Sequence, residues 1–149
     1  MAIVLMRPEM DAWLPGEHTG TFRGTQLSFV AASAALEFWE DPSFLAHLDD
    51  SARRLQLFGK TLGDMDPRLQ IRGRGMVLGI DMREAGGHHR AAGVQRACFA
   101  GGLIVELCGR EDEVIKVMPP LTVDSAVLEA GLDILRSAVL GTAADGPGI

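Results

Sequence analysis

No stretch of these 149 residues approaches the roughly 18 to 20 consecutive apolar positions that crossing a bilayer requires. The opening Met1-Ala2-Ile3-Val4-Leu5-Met6 breaks at once into Arg7 and Pro8, which is not the shape of a secretory signal. A membrane partner is therefore not expected. Cysteine is scarce as well: Cys98 falls in a predicted helix and Cys108 near a predicted strand end. A disulfide scaffold is not expected, and a reducing cytoplasm is the default compartment. Positive charge is in deficit, with 14 Lys and Arg against 20 Asp and Glu and a formal charge of -6. Arg53-Arg54 and Arg72/Arg74 are the only close basic groupings, so the concentrated cationic face of a nucleic-acid binder is excluded. Lysine itself occurs twice, at Lys60 and Lys116.

What is present suits a folded unit. Hydrophobic residues make up 47% of the chain against 23% charged, a globular balance, and the length fits one domain of ordinary size. Residues 1–24 hold a short apolar run, two proline punctuations and a glycine-rich polar loop, which do not make a core alone. From Leu27 the apolar residues Val30, Ala31, Ala34, Ala35 and Phe38 follow a helical stripe that Asp41-Pro42 interrupts. A second helix carries Leu45, Leu48, Ala52, Leu55 and Leu62 on one face.

After the turn Asp64–Pro67, Leu69 to Met82 reads as one extended segment with glycine irregularities, its second half apolar enough to be buried on both faces. Ala91–Ala100 reads as a helix stopped by Gly101-Gly102. Two short strands follow, Leu103–Leu107 and Val114–Met118, joined by a polar turn at Gly109. Asp124 is placed to cap a last helix that buries Val127, Leu128, Gly131, Leu132, Leu135 and Val139. The expected fold class is α/β (α+β), a sheet of about three strands with helices packed on it. The tail 142–149 is small, polar and expected to fray.

Chemistry concentrates before the first helix. Thr19, Gly20, Thr21 and Gly24 bring hydroxyls and backbone N–H groups to a helix amino terminus, where glycine allows close approach and the helix dipole favours an anion such as phosphate. Arg23 offers a charge-assisted contact. Taken alone, such a turn is more often a simple cap. His88-His89 beside Gly86-Gly87 read as an exposed turn with no third ligand at metal spacing. Gly73-x-Gly75-x-x-x-Gly79 lies within strand sequence, where bulges or close packing account for it better than a dinucleotide loop.

As a longer string, Pro15-Gly16-Glu17-His18-Thr19-Gly20-Thr21-Phe22-Arg23-Gly24 resembles the phosphate-loop segment of class III, pyridoxal-phosphate-dependent aminotransferases, and within them the diaminobutyrate:2-oxoglutarate type that opens ectoine synthesis. Arg72 to Ile80, Gly102 to Glu106 and Pro119-Pro120-Leu121-Thr122 agree in order, so the resemblance covers nearly the whole chain. Thr25 and Gln26 depart from the family's asparagine and proline, which puts the loop's shape in question rather than the family.

The resemblance implies a division of the chain. Residues 1–26 would be the end of a large domain with its phosphate loop, 27–62 connecting helices, and 63–141 the small carboxy-terminal domain of a fold type I enzyme. It implies pyridoxal 5'-phosphate as cofactor, held by Thr21 with Gly20 and Phe22 across a subunit interface. It implies Lys116 at the position where many relatives place an arginine for the substrate carboxylate, and Glu106 near a substrate ammonium. For Lys116 a plain surface lysine, and for Glu106 a solvated strand end, remain open readings. No catalytic residue is assigned: neither Lys60 nor Lys116 matches the lysine that anchors the cofactor, which the resemblance puts upstream of Met1. The implied partners are the missing large domain, a second subunit in a homodimer or higher homo-oligomer, and small amino-acid and keto-acid substrates; neither nucleic acid nor membrane is implied. Alone, the chain is expected to be inactive. Two rival readings stand beside this one. One is another class III enzyme, making diaminobutyrate for siderophores or acting on ornithine-like substrates; the other is a non-catalytic regulatory or interaction module.

Overall fold

The computed structural model describes residues 3–142, and the chain divides into two compact units, Met1–Leu45 and Ala46–Ile149. Of the tail expected to fray, 143–149 lie outside the described residues. Thr142 does not hang free: its hydroxyl donates to the carbonyls of Ala138 and Val139 at 3.0 and 3.1 Å.

In the first unit, a single 3-10 turn at Pro8–Met10 precedes the polar loop, and helix α1 spans Gln26–Glu37. A second 3-10 turn, Phe38–Glu40, follows it. Asp41 then starts helix α2 (Pro42–Met65), its carboxylate accepting from the backbone and hydroxyl of Ser43 at 2.8 Å each, with Pro42 at the first helical position. The rings of Phe38 and Trp39 meet Phe44 at 5.4 and 5.5 Å. The predicted interruption at Asp41-Pro42 is therefore real. Helix α1 forms where the apolar spacing predicts it, yet none of its residues is buried, Leu27 and Val30 being 81% and 69% exposed. Alanine and apolar residues run round most of this helix, so no one face is distinguished by hydrophobicity.

The second unit is a four-stranded antiparallel sheet with helices on it. The strands are β1 (Gln70–Arg74), β2 (Val77–Asp81), β3 (Glu106–Cys108) and β4 (Val114–Val117), in the spatial order β1-β2-β4-β3. Helices α3 (Gly87–Ala100) and α4 (Ser125–Gly141) complete it. Leu78 and Ile80 of β2 and Ile115 of β4 are fully buried against Leu55 and Leu62 of α2, Val94 and Cys98 of α3, and Leu132, Leu135 and Val139 of α4. Gly59 lets α2 lie close on the sheet, because a Cβ there would fall 2.8 Å from both Ile71 and Leu78 side-chain carbons.

The sheet has four strands and not about three, because the segment Leu69–Met82 folds back on itself. Arg74 pairs with Val77 around a two-residue loop, Gly75-Met76, with positive φ (57°) at Gly75 alone, the sign pattern of a type II′ hairpin turn. The strands stay close at Gly73, where a Cβ would lie 2.2 Å from the Val77 carbonyl oxygen. Helix α3 begins four residues before its predicted start, so His88 and His89 lie in its exposed first turn and not in a free loop. Its end follows expectation: Gly102 adopts φ 87°, the Leu103 N–H reaches the Cys98 carbonyl at 2.8 Å and the Gly102 N–H reaches that of Phe99 at 3.0 Å, a Schellman stop. Asp124 caps α4 as predicted, accepting from Ala126 N–H at 2.8 Å. Leu128, Leu132, Leu135 and Val139 are buried as expected, whereas Val127 is 63% exposed and Ala138 takes a buried place instead.

Candidate functional site

The polar loop before α1 is built from local contacts. Arg23 N–H donates to the Gly20 carbonyl at 3.0 Å and closes a turn with Thr21 and Phe22 at its corners. Both are exposed, Phe22 at 89%. The Arg23 guanidinium folds back to the His18 carbonyl (Nη1, 3.0 Å) and to His18 Nδ1 (Nη2, 3.3 Å), and the Trp13 ring stacks on His18 at 4.8 Å and 17°. Thr25 stands at the cap position of α1, but its hydroxyl donates backwards to the Phe22 carbonyl at 2.7 Å and caps nothing. The first N–H groups of α1, at Gln26 and Leu27, are thus left without a side-chain cap beside the Thr21 turn, which is the donor-rich environment an anion needs.

Lys116 and Glu106 belong to the sheet of the second unit. They face each other in the β3–β4 register and form an ion pair between Lys116 Nζ and Glu106 Oε2. The contact holds the Glu106 carboxyl below and the Lys116 ammonium above their ordinary ranges, first through the hydrogen bond and then through charge. One cross-strand row therefore reads Arg72, Gly79, Lys116, Glu106. Lys116 also borders an apolar cleft of about 270 Å³ formed by Leu103, Ile104, Met118, Pro119, Val127 and other residues between the end of the sheet and α4. Lys60, the other lysine, is exposed and bridges to Asp64 at 2.9 Å one helical turn on.

Two buried charge clusters escaped the sequence reading. Arg90, 6% exposed, donates to Asp66 at 2.8 Å and to the carbonyls of Ala85 and Val139 at 3.1 Å each, tying together the end of α2, the start of α3 and the end of α4. Arg68 grips the same Asp66 with a two-pronged contact at 2.8 and 2.9 Å, and these bonds hold the Asp66 carboxyl far below the usual carboxylate range. Arg90 sits on the stripe 90, 94, 98 of α3, so a charge on an apolar face was the available signal. Asp81, 1% exposed, is held by Arg72 at 2.7 Å and by the Arg83 backbone at 2.9 Å, while Arg83 also reaches Glu113 at 3.1 Å. Among the described residues no group of three His, Cys, Asp or Glu side chains is arranged to hold a metal ion, and no helix is long and apolar enough to cross a membrane.

Comparison with known proteins supplies the context. The family described as Aminotransferase class-III matches residues 1–139. An uncharacterized aminotransferase of Sinorhizobium fredii is 42% identical over 93% of this chain and 31% of its own length. The diaminobutyrate--2-oxoglutarate transaminase of Wolinella succinogenes is 41% identical over 93% of this chain and 32% of its own length. Among solved structures, the lysine aminotransferase of M. tuberculosis in its internal aldimine form superposes with a TM-score of 0.71 at 22% identity, covering 87% of this chain and 29% of that one, a likeness of fold. The chain thus spans about a third of the length of the curated relatives it matches.

Proposed function

Because the chain belongs to the class-III aminotransferase family, we propose that it is the carboxy-terminal segment of a pyridoxal-phosphate-dependent transaminase. In this reading the whole enzyme moves the terminal amino group of L-2,4-diaminobutyrate to 2-oxoglutarate, giving L-aspartate 4-semialdehyde and L-glutamate, the opening step of ectoine synthesis in the cytoplasm. The observation that carries the substrate assignment is the 41% identity to the Wolinella succinogenes transaminase across 93% of this chain, loop included.

The residues present fit the phosphate end of the cofactor. Thr21 is exposed at the corner of a closed turn, and the neighbouring helix end has no side-chain cap to compete with a ligand. Thr21 would donate its hydroxyl to the phosphate, with Gly20 and Phe22 supplying backbone beside it, on a cofactor belonging to the other subunit of a homodimer. When bound, the cofactor supplies the carbonyl that receives the amino group and the ring that draws electrons from it. Lys116 would pair with a substrate carboxylate as a point charge, lacking the fork of an arginine. Glu106, which neutralises Lys116 in the free chain, would meet the substrate ammonium. Both lysines of the chain are held in ion pairs, Lys60 with Asp64 and Lys116 with Glu106, and neither matches the anchoring lysine of the family, so that lysine is assigned to polypeptide other than these 149 residues. The exposed Leu27, Val30, Leu36 and Phe38 of α1 are the kind of surface that a large domain or second subunit covers.

The test replaces the matching third of the Wolinella succinogenes transaminase with this chain and compares amino donors. The transplanted enzyme should prefer diaminobutyrate, and a folded, cofactor-loaded product that prefers ornithine or lysine would overturn the substrate assignment. The chain by itself, incubated with pyridoxal phosphate and reduced with borohydride, should form no stoichiometric adduct at a single lysine; such an adduct with turnover would overturn the segment reading.

A further inference from the structure

We propose that Arg23 and His18, with Trp13 behind them, are positioning residues that set the Thr21 turn for its phosphate; the inference rests on the reading of Thr21 above. An arginine side chain has no acceptor, so in the contact between Arg23 Nη2 and His18 Nδ1 the imidazole accepts, and His18 carries its ring proton on Nε2. Arg23 therefore spans the turn three times: its N–H closes on the Gly20 carbonyl at 3.0 Å, one guanidinium nitrogen holds the His18 carbonyl at 3.0 Å, and the other holds the ring.

Glycine at position 20 belongs to the same device. A Cβ there would stand 3.0 Å from Arg23 Nε and 3.3 Å from its Cγ, so the space is already filled by the folded-back side chain. Trp13 covers a face of the imidazole, 4.8 Å away and nearly parallel, while Arg23 meets its Nδ1 edge. The outcome is a division of labour. Arg23, whose charge and place suggest a direct phosphate contact, commits one N–H from each terminal guanidinium nitrogen to the loop, while Thr21 is left exposed at the corner the clamp fixes. Every one of these contacts lies within residues 13 to 25 and involves no ligand, and a loop shaped in advance binds more tightly than one that must be ordered on binding.

The transplanted enzyme described above separates this role from general damage, with pyridoxal phosphate and phosphate-free pyridoxal as paired probes. Arg23→Met should weaken the pyridoxal phosphate dissociation constant about tenfold, the scale of lost charged hydrogen bonds, and leave that of pyridoxal unchanged. His18→Phe keeps a ring to stack on Trp13 but removes the acceptor, so it should weaken the phosphate form by a smaller factor, and His18→Gln, which restores an acceptor, should recover part of that loss. Parent affinity in Arg23→Met, or equal loss for both probes, would overturn the clamp. If Thr21→Ala leaves affinity for the phosphate form untouched, the reading of Thr21 itself falls; if Thr21→Ala weakens it and Arg23→Met does not, only the present inference falls. The 149-residue chain offers a second readout: with Trp39→Phe leaving Trp13 as sole indole, Arg23→Met should raise acrylamide quenching of Trp13 above that of its half-exposed state in the clamp, and unchanged quenching would overturn the clamp.

Discussion

The two compact units differ in what holds them together. In Ala46–Ile149 the side chains of Leu55, Leu62, Ile80, Val94, Ile115 and Val139 are fully enclosed by contacts between elements far apart in sequence. In Met1–Leu45 no described residue is buried, and the turn that carries Thr21 is held by bonds reaching no further than five residues. Long-range burial supplies the free energy that holds a fold, whereas short-range polar contacts shape a loop without supplying much of it. Substitutions at the enclosed positions of the second unit should therefore act on folding, and substitutions at exposed positions of the first should leave it nearly unchanged.

The largest effect expected of that contrast compares two leucines. Leu62→Ala, at a fully buried position of α2, should lower the unfolding free energy by about 3 to 5 kcal/mol in urea titrations. Leu27→Ala, on exposed α1, should change it by less than about 0.5 kcal/mol. Equal losses would break the comparison by showing that α1 helps hold the fold.

A smaller effect comes from the buried Asp66 carboxylate and carries a pH signature. Its pKa in the folded chain is depressed, by the Arg68 hydrogen bonds first and then by Arg90 against the opposing cost of burial. A depressed carboxylate contributes stability above its unfolded pKa, near 3.9, and loses it as pH falls below that value toward the folded one. Asp66→Asn should cost about 2 kcal/mol at pH 7, the scale of hydrogen bonds to charged groups, and should flatten the loss of stability below about pH 4. An unaltered acid limb in the variant would show that other carboxylates carry that dependence.

Much of the second unit could be read before its structure, and the reasons are local. Asp124 before an apolar stripe announces α4, and Gly101-Gly102 after one announces the end of α3, because caps and stops are written within a few residues. The β1–β2 hairpin was hidden because Gly73, Gly75 and Gly79 look alike in sequence, while only Gly75 takes the left-handed conformation that reverses the chain. Arg90 and Asp66 meet across 24 residues, a distance over which no periodicity reports. For the candidate site the loop was legible as a motif, and its donors could be named. That Lys116 faces Glu106, and that Arg23 turns to His18 instead of outward, depends on strand register and on a side-chain path that spacing does not encode.

The smallest effect tests whether local signals carry energy as well as information. Asp124 accepts from the N–H groups of Ala126 and Val127 at 2.8 and 3.4 Å, so Asp124→Ala strips one good bond and one long one from the first turn of α4. A lost cap costs about 1 kcal/mol, and Asp124→Asn, which keeps an acceptor oxygen, should recover most of it. Because Leu128 and Leu132 anchor α4 in the core beyond that turn, the loss should stay local, with hydrogen exchange quickening at Ala126 and Val127 but not at Leu135. Exchange that quickens along the whole helix would mean that the cap, and not the buried face, decides whether α4 docks.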